Sequence, residues 1–163
     1  MKTVLVQIAD QQWTMQAMHL ACALARNTKG SVVLLRMMRV RAPYLLGSQL
    51  GIASPTDPEM AAITEYSMVA EDYGVKIVLQ PMQYESFNIA LVQAAEHFNA
   101  TAIFASLPEN PILVWKRLQL WNMRRQLNAR KCQLFTLTQS DHTASDQPGI
   151  TFEAIKYRSG DYS

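Results

Sequence analysis

The fold of this chain is set near its N-terminus, where residues 4–37 read VLVQIADQQWTMQAMHLACALARNTKGSVVLLRM. Residues 2–8 form a strand-like run, and residues 13–26 then carry apolar side chains at helical spacing. The next run, residues 31–38, is apolar on both faces, which is typical of a strand in a sheet covered on both sides. The segment therefore predicts a parallel β-α-β unit. One face of its first strand is expected to hold Val4, Val6 and Ile8, and the other face Leu5.

The rest of the chain continues this alternation. Further strands are predicted at residues 75–79, 101–107 and 132–138. Further helices are predicted at residues 56–73, 86–98 and 112–128, and a capping box of Thr56 and Glu59 starts the first of them. Single helices between parallel strands lie on both faces of the sheet, because the crossovers are right-handed. We therefore expect a three-layer, doubly wound α/β fold with a five-stranded parallel sheet.

The predicted domain covers residues 1–140, and residues 141–163 form a polar linker and a C-terminal tail. Residues 42–56 contain proline and glycine and are predicted as a loop between the second strand and the second helix. Within the tail, residues 150–158 are interpreted either as one more edge strand or as a segment that orders on a partner.

Composition restricts the classes of function. With 163 residues, 49% of them hydrophobic, the chain can bury one core, and its charged share of 17% is low enough to indicate self-association. A net charge of +2 argues against nucleic acid or an anionic membrane as partner. No apolar run reaches the ~18 residues of a membrane span, and the N-terminus lacks a signal-peptide pattern. Cys22 and Cys132 lack CxxC spacing, so we expect a reduced, cytoplasmic protein.

The first 37 residues resemble the universal stress proteins. Members of that family open with a strand of the form I-L-V-P-V-D, a helix with A-x3-A-x2-L-A and a strand reading V-x-L-L-H-V. The matching positions here are Val4 to Ile8 on the first strand, Ala17, Ala21, Leu24 and Ala25 on the helix, and Leu34 to Met37 on the second strand. The resemblance implies an adenine-nucleotide alpha-hydrolase-like sheet in the order 3-2-1-4-5 and a homodimer. In one branch of the family it also implies bound ATP.

The chain departs from the ATP-binding members after the fourth strand. Those members carry G-x2-G-x9-G-[ST] there, because close approach of backbone N–H groups to phosphates requires small residues. Here residues 105–111 read ASLPENP, without glycine, and Pro108 and Pro111 remove two N–H donors. On the first strand, Ala9 stands where the family has aspartate, and Asp10 follows one position late. We therefore expect no cofactor, with ATP kept as an alternative that would need an altered loop.

Ligands of such sheets bind at the carboxyl ends of the strands, where the strand order reverses. The ligand-binding candidates at these ends are Ala9, Asp10, Met37, Arg39, Arg41 and Ser106, and Ser106 is the loop residue that matches the family pattern. Arg36, Arg39 and Arg41 would form an anion site through their guanidinium groups, or else lie at a solvated strand end. Of these, Arg39 has no acidic neighbour in sequence.

The last predicted helix is basic and contains Trp115 and Trp121. Stacked nucleic acid bases are one interpretation, and packing of Leu118, Trp121 and Met123 on the sheet or on a dimer partner is the other, favoured one. Nine methionines either fill gaps in the core and interfaces or line an adaptable ligand pocket.

No metal-ligand spacing, nucleophile motif or catalytic cluster occurs in the sequence. The leading hypothesis is a non-enzymatic, dimeric stress-response or regulatory module that binds a small ligand or a protein partner. The alternatives are a nucleotide-binding protein with an altered phosphate loop and, from the enzymes, a nucleotide-dependent transferase.

Overall fold

The computed structural model describes residues 2–40, 53–106 and 113–136. Its strands are β1 (Thr3–Gln7), β2 (Ser31–Arg39), β3 (Ile77–Tyr84), β4 (Ala100–Phe104) and β5 (Gln133–Phe135). Its helices are α1 (Gln11–Thr28), α2 (Asp57–Asp72), α3 (Phe87–His97) and α4 (Leu113–Ala129). The strands form one parallel sheet in the order β3-β2-β1-β4-β5. The predicted fold class and strand order are therefore confirmed.

A separate apolar cluster covers each face of the sheet. Val4 and Val6 point to the layer of α1 and α2, and Leu5 points to the layer of α3 and α4, as the alternation along β1 predicted. All three side chains are fully buried. The helices of the first layer contribute Trp13, Ala17, Met18, Ala21, Cys22, Ala25, Tyr66 and Ala70, and those of the second contribute Ala90, Leu91, Val92, Ala94, Ala95, Met123 and Leu127. Small alanines allow α1 and α3 to lie close to the strands.

Helix α1 is longer than predicted at both ends. It begins at Gln11, because Asp10 is its N-cap residue, and it ends at Thr28, because Lys29 takes a left-handed conformation with φ of 52°. Gly30 follows, and its N–H donates to the Ala25 carbonyl at 2.8 Å. A Cβ atom at Gly30 would overlap the carbonyl oxygen of Lys2, so glycine permits the close approach of β2 to the start of β1.

The β2–β3 pair extends past the end of β1. Gln7 is the last residue of β1 and pairs with Leu35, whereas β2 continues to Arg39 alongside β3. Strand β3 was predicted at residues 75–79 but runs to Tyr84 through Pro81, which a strand at the edge of a sheet can accommodate. Residues 36–39 of β2 therefore extend beyond the end of β1.

The remaining strands are shorter than predicted. Strand β4 ends at Phe104 and β5 at Phe135, and none of residues 107, 137 and 138 is among those described. Helix α2 begins as predicted, with the capping box of Thr56 and Glu59. The predicted domain boundary at residue 140 and the segment 150–158 lie outside the described residues, so both remain predictions. None of the described helices has the length and apolar character needed to cross a bilayer.

Candidate functional site

The candidate site lies where the strand order reverses, at the carboxyl ends of β1 and β4. Strand β1 is flanked by β2 and β4, and the chain leaves β1 toward one side of the sheet and β4 toward the other. Crevices at such reversals are the usual ligand sites of open α/β sheets. The candidates Ala9, Asp10 and Ser106 all lie here.

The segment after β1 is held by a local hydrogen-bond network. The N–H of Ala9 donates to Oγ1 of Thr14 at 2.9 Å, and the Thr14 hydroxyl donates to the carbonyl oxygen of Asp10 at 2.8 Å. Oδ1 of Asp10 accepts a hydrogen bond from the N–H of Trp13 at 2.9 Å. The Asp10 carboxylate therefore caps α1, which is a structural role that sequence reasoning had not given it.

The segment after β4 is joined to β1 by a side chain that sequence reasoning missed. The N–H of Ser106 donates to Oε1 of Gln7 at 2.8 Å. Gln7 is only 8% exposed, and it is one of two buried polar residues among those described, the other being Thr14. A glutamine inside the apolar run VLVQI was the available signal, because buried polar side chains need hydrogen-bond partners.

Four backbone donors at this end of the sheet are bonded to protein oxygens. Besides the N–H groups of Ala9 and Ser106, that of Ile8 donates to the Leu35 carbonyl at 3.0 Å, and that of Ala105 donates to the Phe135 carbonyl at 3.1 Å. An anion site built from backbone requires N–H groups that point at the ligand. These four donors point at the protein instead.

The end of β2 is divided between a paired and an exposed arginine. The Arg36 side chain is 12% exposed, and its Nη2 lies 3.1 Å from Oε2 of Glu59. Nη1 of Arg36 also donates to the carbonyl oxygen of Ala53. Arg36 therefore ties the β2 projection to the start of α2, which removes it from the predicted arginine cluster. Arg39 is exposed, and Arg41 lies outside the described residues.

Met37 is partly buried and packs on the cluster under α3 and α4. This contact agrees with the interpretation of the methionines as core-filling residues. In the described part of the chain, no hydrogen bond or ion pair joins Met37 or Arg39 to Asp10 or Ser106. The structure thus brings together the candidates of β1 and β4 but leaves those of β2 on the projecting strand pair.

An open groove of about 460 Å³ runs along the first turns of α1 beside Asp10. Its lining includes Gln11, Gln12, Met15 and Gln16. Nε2 of Gln11 donates to Oε2 of Glu65 on α2 at 2.9 Å. The lining side chains among the described residues are uncharged, so they suit a neutral polar group better than a phosphate.

Three ionisable groups in the layer of α1 and α2 have shifted pKa values. The pKa of Glu59 is lowered, first by the hydrogen bond from the Thr56 N–H and next by the one from Arg36. Burial raises the pKa of Tyr66, and a hydrogen bond with Thr14 opposes that change. Burial also raises the pKa of Cys22 to about 11, so its thiol is a poor nucleophile.

Groups of three or more metal-ligating side chains do not occur among the described residues. The rings of His19 and His97 pack edge-on against Tyr73 and Phe98. On α4, Met123 is buried, whereas Leu118 and Trp121 are exposed. The predicted packing on the sheet is thus confirmed at Met123. Leu118 and Trp121 do not pack on the sheet.

Neither a protein-family model nor a curated protein matches this sequence. Solved structures do match, and they include universal stress proteins. One of them, a universal stress protein in complex with cAMP, is 15% identical with a TM-score of 0.58, and the match covers 85% of this chain and 98% of the other.

Two further structures extend the comparison. A universal stress protein from Archaeoglobus fulgidus is 10% identical with a TM-score of 0.54, and the match covers 85% of this chain and 94% of that protein. Universal stress protein UspA from Lactobacillus plantarum is 15% identical with a TM-score of 0.50, with coverage of 84% and 97%. At these identities the likeness concerns the fold, and this chain has the α/β fold of the universal stress proteins.

Proposed function

We propose that this chain is a non-enzymatic regulatory module of the universal stress protein kind, which acts as a dimer by binding a protein partner or a small ligand. The observation that carries the proposal is the 2.8 Å hydrogen bond from the Ser106 N–H to Gln7. It uses the second backbone donor beyond β4, at the place where a phosphate loop would begin, and the first, the N–H of Ala105, is bonded to the Phe135 carbonyl.

This hydrogen bond and the sequence of the following loop both oppose triphosphate binding. Phosphates bind where several consecutive N–H groups converge on them. Here Gln7 occupies the donor of Ser106, and the following residues include Pro108 and Pro111, which have no N–H. The carboxylate of Glu109 adds a negative charge to the same stretch of sequence. We therefore expect the ligand or partner that regulates this protein to be other than ATP.

Calorimetric titration with ATP tests the first part of the proposal. We expect no heat of binding at millimolar ATP with Mg²⁺, and no ATP hydrolysis by the same preparation. The control is Gln7→Ala, which frees the Ser106 N–H but leaves the loop without glycine, so it also should not bind ATP. Binding of ATP by the unaltered protein with a micromolar Kd would contradict the proposal.

The dimer is supported by apolar surface that one chain leaves exposed. Only 17% of the residues are charged, and on α2 the side chains of Met60 and Met68 are 47% and 61% exposed. These two residues are eight positions apart and therefore share one stripe of the helix. Sedimentation analysis at micromolar concentration should give the mass of two chains, and a monomer there would exclude the dimer.

Binding of a nucleotide without a triphosphate is the second candidate function. It is favoured by the similarity in fold to the universal stress protein solved in complex with cAMP, and by the exposed guanidinium of Arg39 at the carboxyl end of β2. Met37 would then contact the base and Arg39 the single phosphate, whereas Ala9, Asp10 and Ser106 would contact the ligand only if it extended to the ends of β1 and β4. Arg41 is the further candidate for the phosphate.

Titration with AMP and cAMP tests this second candidate. Arg39→Gln should weaken binding at least ~10-fold if the guanidinium contacts the phosphate. Arg26→Gln is the matched control, because Arg26 is exposed in the last turn of α1, at the opposite end of the sheet. Equal affinities of the two variants would rule out the phosphate contact, and absence of any heat would remove this candidate.

A further inference from the structure

Helix α4 presents an exposed apolar ridge, which consists of Leu118 and Trp121. Their side chains are 56% and 54% exposed, and residues three positions apart lie on the same side of a helix. The guanidinium carbon of Arg125 lies 5.6 Å from the centre of the Trp121 ring. An indole and a leucine side by side in water are typical of a surface that another segment covers.

The charged residues of the segment that carries the ridge are all basic. Residues 113–132 contain no acidic residue, and their basic residues are Lys116, Arg117, Arg124, Arg125, Arg130 and Lys131. Arg130 pairs with Glu96 of α3 at 3.3 Å. The remaining positive charge favours an occupant that combines apolar side chains with carboxylates.

The chain contains such a segment after β5. Residues 137–163 hold four acidic side chains against two basic ones, in contrast to the net charge of +2 of the whole chain. The acidic ones are Asp141, Asp146, Glu153 and Asp161, and the basic ones are Lys156 and Arg158. Its apolar side chains are concentrated at Ile150, Phe152, Ile155 and Tyr157. Three of the four carboxylates, those of Asp141, Asp146 and Asp161, flank residues 150–158, which themselves contain Glu153, Lys156 and Arg158. The flanking carboxylates are therefore complementary to the α4 ridge in charge, and residues 150–158 are complementary to it in apolar character.

The connection between β5 and this segment is long enough to reach the ridge. Strand β5 ends at Phe135, at the carboxyl edge of the sheet, and α4 begins at that same edge before running back along the sheet. Residues 137–149 can span up to ~45 Å when extended. Helix α4 itself is only ~25 Å long. Every point on the ridge is within reach of the tail of the same chain.

We propose that residues 150–158 dock on the α4 ridge of their own chain, with Phe152 and Ile155 against Leu118 and Trp121 and the flanking carboxylates of Asp146 and Asp161 near the α4 arginines. The chain thereby covers its own exposed aromatic surface. This inference is independent of whether any nucleotide binds at the strand ends.

Disulfide trapping in the full chain tests the docking. The paired variant is Asn122→Cys with Ala154→Cys, which places thiols beside the ridge and in the tail while leaving the apolar side chains intact. The matched control is Gln93→Cys with Ala154→Cys. Gln93 is also exposed, and it lies on α3, in the same layer as α4. The native Cys22 and Cys132 are buried and do not interfere.

Under mild oxidation at low protein concentration, the Asn122 pair should form an intramolecular disulfide about tenfold faster than the Gln93 pair. Peptide mass spectrometry identifies the linked residues, and non-reducing electrophoresis separates linked monomers from linked dimers. Equal rates for the two pairs would mean that the tail is not docked. Disulfides formed only between chains would mean that a second copy occupies the ridge. Either result overturns the proposal.

Fluorescence quenching gives a second readout that does not need new thiols. Acrylamide should quench Trp121 more strongly after Phe152→Ser with Ile155→Ser than in the unaltered chain. Trp121→Phe assigns that part of the signal, because Trp13 and Trp115 both remain in that variant. No increase in quenching in the tail variant would also overturn the proposal.

Discussion

At the scale of single residues, Glu59 joins three parts of the chain. Its Oε2 accepts hydrogen bonds from the N–H of Thr56 at 2.8 Å and from Nη2 of Arg36 at 3.1 Å. Arg36 in turn donates to the carbonyl of Ala53. One carboxylate thus fixes both the first turn of α2 and the projecting part of β2.

Replacing Glu59 by glutamine should lower the free energy of unfolding by about 1 kcal/mol at pH 7, through loss of the charge on the cap and on the ion pair. The pKa of Glu59 is lowered in the folded state, so its contribution is present above the ordinary carboxyl pKa and is lost as the pH falls through the lowered value. The difference between variant and unaltered protein should therefore shrink on acidification. Urea unfolding at pH 7 and at pH 3 measures it.

Glu65→Gln is the matched control for this prediction. Glu65 is exposed on the same helix, and its described partner is the Gln11 side chain. Its replacement should change stability by less than ~0.5 kcal/mol at either pH. An equal effect of the two substitutions would show that the Arg36 contact contributes nothing.

At the scale of an element, the end of α1 depends on two adjacent backbone positions with opposite needs. Lys29 has φ of 52°, a conformation that suits glycine, and its N–H bonds to the carbonyls of Ala25 and Arg26. Gly30 follows in a position where no side chain fits beside Lys2. Residue 30 must therefore be glycine because a side chain would overlap Lys2, whereas residue 29 has room for a side chain but a left-handed backbone conformation.

Exchanges at these two positions should therefore have opposite signs. Gly30→Ala should destabilise the protein by roughly 1–3 kcal/mol, because the start of β1 must move. Lys29→Gly should stabilise it by up to about 1 kcal/mol, because glycine has no Cβ atom that would be strained in the left-handed conformation. Thermal and urea unfolding measure both changes.

Asn99→Gly is the control for the second exchange. Asn99 follows α3 with φ of 48°, and asparagine tolerates this conformation better than lysine. Its gain should be smaller than that of Lys29→Gly. Destabilisation by Lys29→Gly would show that the lysine side chain makes a contact that outweighs the conformational cost.

At the scale of the whole molecule, each face of the sheet contains one buried thiol. Cys22 belongs to the cluster under α1 and α2, and Cys132 to the cluster under α3 and α4. Burial raises the pKa of both thiols to about 11. The two cysteines therefore report separately on the opening of the two layers.

We expect a thiol reagent at pH 8 to label both cysteines slowly and at equal rates, because a single sheet makes the two layers open together. Gln93→Cys provides an exposed thiol that should react at once. Mass spectrometry of each cysteine peptide measures the rates. Faster labelling of one cysteine in the absence of denaturant would show that its layer opens by itself.

The same two thiols predict a loss of stability in alkali. An unfolded thiol ionises above its ordinary pKa of 9.0, whereas the folded thiols stay neutral up to about 11. Their neutral form therefore contributes stability below pH 9 that is lost progressively up to about pH 11. Urea unfolding between these pH values should give a falling midpoint, and Cys22→Ala with Cys132→Ala should reduce the slope.

The sequence by itself determined the element order, the faces of β1 and the start of α2. These features follow from local periodicity and from a capping box within four residues, so no distant contact is needed to predict them. The resemblance to universal stress proteins supplied the strand order, which periodicity alone leaves open. Asp10 is a common N-cap residue, so the start of α1 could also have been predicted from the sequence. It was placed at Trp13 instead, because Gln11 and Gln12 interrupt the apolar pattern.

Only the tertiary structure decided which polar groups at the strand ends are used by the protein itself. Gln7 bonds to Ser106, 99 positions away, and Arg36 bonds to Glu59 across the segment that joins β2 to α2. The choice of a hydrogen-bond partner depends on distances of about 3 Å between elements that are far apart in sequence. Periodicity specifies which face a side chain takes, but not which atom of another strand lies opposite it.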